Sequence, residues 1–196
     1  YNPFTRGCMI VIKDPKQMLR YSWSMRCRNK RIGFVLTMGA LHQGHMRLMQ
    51  VARKENDIVI ASIFVNPAQF GPHEDFKKYP RMYQNDLNAC KNAGVDVVFA
   101  PSVAAMYPSG FSTYVNVDKI GDLLCGKTRP GHFRGVATVV AKLLNLVIAH
   151  NAYFGQKDAQ QVIIVKRMIE DLHFPVRVRI VPTVRHVDGL AMSSRN

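Results

Sequence analysis

The chain has 196 residues, of which 47% are hydrophobic and 20% charged, with 27 Lys+Arg against 13 Asp+Glu and a formal charge of +14. That is enough chain for one medium domain with a real core, and too apolar for a disordered one. No apolar run reaches the roughly 18 residues of a membrane span, and none follows a basic start as in a secretory signal.

Residues 1–8 carry no clear pattern and read as a leader or tag remnant, which leaves 9–196 as one domain. Cys8, Cys27, Cys90 and Cys125 lie far apart with no C-x-x-C, the usage of a reducing cytoplasm and not of a disulfide scaffold or a zinc site. Eleven basic side chains and one acid, Asp14, fall in residues 1–54. Such a patch serves a nucleic acid, an anionic metabolite or plain solubility; few aromatics interleave it, so stacking on bases has little support.

In chain order, Ile10–Ile12 reads as a strand and a helix opens near Pro15. Phe34–Thr37 is a second strand, ending in the turn Met38-Gly39-Ala40, and a helix runs from His45 with Leu48, Met49 and Ala52 inward. Asp57–Val65 is a buried strand broken by Asn66-Pro67. Pro80–Ala93 is a helix entered by proline and closed by Gly94. Val95–Phe99 and Phe111–Val117 read as strands. Val136, Val139, Val140, Leu143 and Val147 keep helical spacing, as do Val162, Val165, Ile169 and Leu172. Ala152–Phe154 and Val176–Val184 are strand-like. The alternation predicts an α/β fold, a Rossmann-like, doubly wound parallel sheet with ligands beyond the carboxyl ends of its strands.

Four clusters sit just after strands. In Met38-Gly39-Ala40-Leu41-His42-Gln43-Gly44-His45, two histidines three apart precede a helix; if the turn is already helical they share a face beside free backbone N–H groups, which suits a polyphosphate. Asn66 and Gln69 either orient a small polar substrate or merely end a strand. In Gly155-Gln156-Lys157-Asp158, Asp158 is a candidate cap for the next helix, and Gln161 shares its stripe with Val165, so it looks inward, toward a substrate or a structural water. Met192-Ser193-Ser194-Arg195 reads as a phosphate clamp, a serine helix cap, or both. Gly121–Thr128 satisfies G-x-x-x-x-G-K-T, but Asp118-Lys119-Ile120 separates it from any strand and Arg129-Pro130-Gly131 follows, so the P-loop context is missing. A dinucleotide G-x-G-x-x-G is absent.

Together these segments, with Ser62–Phe70 and Arg129-Pro130-Gly131-His132-Phe133-Arg134-Gly135, closely resemble the pantothenate synthetase (pantoate–β-alanine ligase) family, within the H-x-G-H nucleotidylyltransferase type of fold. The resemblance covers nearly everything from residue 37 onward. It implies a cytoplasmic, dimeric ligase that uses ATP and Mg²⁺ to form pantoyl adenylate, then pantothenate, with no membrane and no specific nucleic acid as partner. Carried over, Met38 to His45, Gly155 to Asp158, Val184 and Met192 to Arg195 line ATP, with His45, His42, Lys157 and Arg195 catalytic; Gln69 and Gln161 hold pantoate, and no metal ligand is assigned. Leu36 replaces the family's proline before Thr37. The family continues into a smaller C-terminal domain absent from this chain, which implies an uncovered site and weak or absent turnover. The competing readings are another H-x-G-H nucleotidylyltransferase, indifferent to pantoate, and a nucleic-acid-binding domain driven by charge.

Overall fold

The computed structural model describes residues 9–71, 74, 76 and 78–194. Six strands make one sheet: β1 (Ile10–Ile12), β2 (Ile32–Thr37), β3 (Ile58–Ile63), β4 (Val97–Phe99), β5 (Asn151–Gly155) and β6 (Arg177–Val181). Their order is β1-β4-β3-β2-β5-β6, and every neighbouring pair is parallel. From β2 the chain steps one way through β3 and β4, then crosses back to lay β5 on the other side of β2. The carboxyl ends of β2 and β5 therefore flank the switch point, where such sheets open a crevice.

The helices are α1 (Pro15–Cys27), α2 (Gln43–Glu55), α3 (Tyr83–Asn92), α4 (Val103–Met106), α5 (Cys125–Thr128), α6 (His132–Val147) and α7 (Ala159–Asp171). Strand side chains alternate between two apolar layers, as a pleated strand requires. Phe34, Ile60, Val97, Phe99 and Phe154 pack with Met18 of α1, Val140 of α6 and Val165 of α7. Val35, Val59, Ala61, Val98 and Tyr153 pack with Leu48, Met49 and Ala52 of α2 and Cys90 of α3. Cys27, Cys90 and Cys125 are free thiols, and no helix among the described residues is long and apolar enough to cross a membrane.

Several boundaries differ from expectation. Phe111–Val117 is not a strand: Thr138 of α6 satisfies the backbone of Val115, whose N–H reaches Thr138 Oγ1 at 3.0 Å, so the segment lies along a helix and joins no sheet. α3 starts three residues after Pro80, with Met82 as a cap that makes no side-chain hydrogen bond; Gly94, at φ +75°, does close it. β3 stops at Ile63 because Asn66 caps a tight 3₁₀ turn over Pro67–Gln69. Leu36 continues β2 opposite Ser62. The stretch 121–128 holds a 3₁₀ turn and the short α5, with no strand leading into it, which removes the P-loop reading. Residues 1–8 and Arg195 lie outside the described residues.

Candidate active site

A cavity of about 270 Å³ opens at the switch point and gathers most of the predicted site: Met38, His42, Gly44, His45, Gln69, Gly155, Lys157, Asp158, Gln161, Val184 and Met192–Ser194 all line it. Gly39, Ala40, Leu41, Gln43 and Gln156 belong to the same turns but do not line it.

The two histidines meet differently from the shared helical face expected of them. His42 is the N-cap of α2, in extended backbone, and His45 is the third helical residue. His42 Nδ1 accepts the Gly44 N–H at 3.1 Å, and the His42 N–H donates to His45 Nδ1 at 3.3 Å. This is a capping box built from imidazoles in place of hydroxyl and carboxylate. Both Nδ1 atoms act as acceptors, so in the neutral rings each proton sits on Nε2. The ring centroids are 4.1 Å apart. Burial, then the neighbouring His42 and Lys157 charges, push His45 from its ordinary 6.5 down to about 3. Burial and Lys157 lower His42 as well. At neutral pH the pair consists of two neutral N–H donors, not imidazolium ions.

The backbone donors of this turn are also committed. The Gly39 N–H donates to Thr37 Oγ1 at 3.2 Å, while those of Ala40 and Leu41 donate to the Asp86 carboxylate at 3.0 and 2.9 Å. Of the free N–H groups expected here, those of Gly39, Ala40, Leu41, His42 and Gly44 are thus occupied by the protein itself.

On the opposite wall, Asn66 lines the cavity and is a node of hydrogen bonds. It is only 1% exposed, donates to the Gly135 carbonyl (3.1 Å) and Gln69 Oε1 (3.2 Å), and accepts from the Tyr107 hydroxyl at 2.7 Å. Gln69 is thereby oriented with its amide N–H on Met38 Sδ at 2.9 Å. A thioether is a weak acceptor, so a substrate oxygen competes well for that donor. Gln161 faces it from α7, and the Val136, Val139, Val140 and Leu143 side chains of α6 supply an apolar floor.

Lys157 reaches the cavity from the turn after β5, its Nζ 3.3 Å from Asp158 Oδ1. Asp158 occupies the cap position of α7 but makes no side-chain cap bond, contrary to expectation. Beyond β6 the chain folds into a short hairpin, in which Arg185 bridges Ala191 and the Met192 N–H donates to the Val184 carbonyl at 3.0 Å. The hairpin returns Met192–Ser194 to the cleft, where Ser194 Oγ and the Tyr79 hydroxyl lie 3.2 Å apart. No helix begins within the described part of this segment, so the serine-cap alternative has no helix there to serve.

Roles for Arg129 and His132 were missed by the reading of local pattern, although both fall in a quoted motif. The Arg129 guanidinium donates to Glu74 at 2.7 and 2.5 Å and to His132 Nε2 at 3.0 Å. His132 Nδ1–H then donates to the Gln69 carbonyl at 2.8 Å. The contact with the arginine leaves His132 protonated on Nδ1 and holds the backbone of Gln69. Only the long-range fold reveals this, since Glu74 and Arg129 are 55 positions apart.

Comparison with known proteins follows the same outline. The family model described as pantoate-beta-alanine ligase matches residues 10–196. The pantothenate synthetase of Moorella thermoacetica is 57% identical over 188 residues, which cover 96% of this chain and 66% of that protein. Among solved structures, pantothenate synthetase from Thermus thermophilus superposes with a TM-score of 0.89 at 50% identity, over 95% of this chain and 66% of that one. Pantoate-beta-alanine ligase from Francisella tularensis, complexed with beta-gamma ATP and beta-alanine, gives 0.92 at 42% identity, over 96% and 72%. The chain thus spans about two thirds of the length of the curated relatives it matches.

Proposed function

The chain belongs to the pantoate-beta-alanine ligase family, and from that premise we propose that residues 9–196 form the ATP- and pantoate-binding domain of an ATP-dependent ligase. It joins pantoate to β-alanine, supplying pantothenate for coenzyme A. A pantoate carboxylate oxygen attacks the α-phosphorus of ATP, the bond to pyrophosphate breaks, and pantoyl adenylate remains. The β-alanine amine then attacks the acyl carbon, AMP leaves, and the amine gives up a proton. A free carboxylate is a poor electrophile, and the adenylate supplies the leaving group it lacks.

The observation that carries this reading is that the imidazole pair and the glutamine pair open into one cleft. His42 and His45 direct two Nε2–H donors at the phosphates, where negative charge grows on the leaving oxygens. Lys157 adds a positive charge beside them. The Gln69 and Gln161 amides suit the hydroxyls and carboxylate of pantoate, and the α6 valines suit its paired methyl groups. Gly155, Gln156, Val184 and the 192–195 segment complete the nucleotide side, with Arg195 on phosphate. The relative solved with beta-gamma ATP and beta-alanine supports ATP and β-alanine among these substrates.

No cluster of three metal-binding side chains occurs among the described residues. Mg²⁺ does not need one, because it takes oxygen ligands, keeps several waters and binds through one or two carboxylates plus phosphates. Asp158, a carboxylate lining the cavity, fits that role, and the ion would supply counter-charge to the phosphates. Free thiols suit the cytoplasm. The assembly is a homodimer, which light scattering checks.

The test is pantoate-dependent exchange of labelled pyrophosphate into ATP. Exchange that requires pantoate supports the ligase; exchange indifferent to pantoate points to another nucleotidylyltransferase and overturns the assignment.

A further inference from the structure

The turn that carries His42 is gripped from behind by a carboxylate for which the proposed chemistry has no use. Asp86, in the first turn of α3, is 3% exposed. Its Oδ2 accepts the Ala40 N–H at 3.0 Å and its Oδ1 the Leu41 N–H at 2.9 Å, one donor to each oxygen. Asp86 does not line the ATP-side cavity. It lines a second one, of about 310 Å³, on the far side of Met38. Its influence on the cleft therefore runs through backbone.

The backbone at this point is unusual. Gly39 has φ +83° and Ala40 φ +50°, two successive left-handed residues. The turn they make leaves the consecutive N–H groups of Ala40 and Leu41 facing one carboxylate, a nest for an anion. For alanine it is strained, and holds only where the surroundings compensate. A methyl group on Gly39 would lie 2.8 Å from Asp86 Oδ2, so the glycine stands where the carboxylate comes closest. One peptide after Leu41 comes His42, whose extended backbone lets its N–H reach His45 Nδ1.

We infer that Asp86 is a positioning residue for the imidazole pair: by filling the nest of Ala40 and Leu41 it sets the backbone at His42, and so fixes the capping box that keeps both Nε2–H donors on the cleft side. This rests on the ligase reading only for its kinetic arm.

The experiment begins with Asp86→Asn, nearly the same shape. Its amide oxygen can accept one of the two N–H groups, while its NH₂ opposes the other. Nitrogen NMR of the imidazoles at pH 7.5, on folded protein without substrate, reads the tautomers directly. The native protein is expected to show both Nδ1 atoms bare and both Nε2 atoms protonated. Asp86→Asn is expected to mix the His42 tautomers, and to lower kcat/KM for ATP in pyrophosphate exchange by about ten- to a hundredfold with the pantoate KM unchanged. Adding Ala40→Gly, which relieves the strained turn without a carboxylate, is expected to restore much of both. Gly39→Ala, which keeps the carboxylate but drives it off the turn, must disturb the same tautomers if Asp86→Asn does not fold. Unaltered imidazole signals in whichever of these two variants folds overturn the proposal, as does a folded double variant with no recovery. Native protein with the expected tautomers but no exchange would instead sink the ligase reading alone.

Discussion

Gly135 of α6 lies so close beneath the turn at Ala68 that a Cβ there would come 2.0 Å from the Ala68 carbonyl oxygen and 2.6 Å from the Gln69 nitrogen. The helix and the turn that presents Gln69 are in backbone contact, and only a residue without a side chain permits it. Gly135→Ala is therefore expected to push the 67–69 turn away, costing about 1–3 kcal/mol by overpacking. Urea unfolding reads that cost. The pantoate KM should rise more than the ATP KM, because the turn belongs to the glutamine side of the cleft.

His45→Ala removes an Nε2–H donor aimed at the phosphates. Loss of one such preorganised donor costs about 3–4 kcal/mol in the transition state, or roughly 10²–10³-fold in adenylation rate. Single-turnover formation of the acyl adenylate measures it. A rate like that of the native protein would remove His45 from the chemistry.

The same residue makes stability depend on acid. Folded His45 takes up its proton only near pH 3, whereas the unfolded chain takes it up near 6.5. Below pH 6.5 the unfolded state binds more protons, so this contribution is whole above 6.5 and drains away as pH falls toward 3. The slope approaches about 1.4 kcal/mol per pH unit for one such group. His42, lowered in the same direction, adds to it. Urea midpoints between pH 7.5 and 5 should fall accordingly, and should fall less in His45→Gln.

Asn56, 8% exposed, caps α2 and ties it to β5. Its amide donates to the Ala52 carbonyl at 2.7 Å and to the Tyr153 hydroxyl at 2.6 Å, and accepts from Asn151 at 2.8 Å. The Tyr153 hydroxyl in turn donates a hydrogen bond to Glu55 Oε2 at 2.8 Å, and burial above all pushes its phenol up to about 12. Asn56→Ala leaves buried polar groups without a partner and is expected to cost about 3 kcal/mol, measured by denaturant unfolding.

What the sequence disclosed and what it concealed divide along physical lines. Strands such as Ile58–Ile63 were legible because both faces of a parallel sheet are buried and the run is almost wholly apolar. Phe111–Val117 has β-branched alternation too, but nothing local says that Thr138 will satisfy its backbone. The H-x-G-H pair was legible as a motif. Its geometry was not, because histidine is an uncommon helix cap and the turn before it answers to Asp86, 46 positions away in the chain. Arg129, His132 and Asn56 were hidden for the same reason. Their partners are assigned by topology, and no periodicity encodes them.

The parallel sheet has a second rim. All six strands point their carboxyl ends at the cleft, so the turns before them, including Asn29 ahead of β2 and His173 ahead of β6, stand a full strand length away. At about 3.3 Å per residue, the five or six residues of these strands separate the two rims by roughly 17–20 Å. Fluorophores, surface tethers or short peptide insertions grafted at those left-handed corners would report on or immobilise the protein while the reacting groups remain unperturbed.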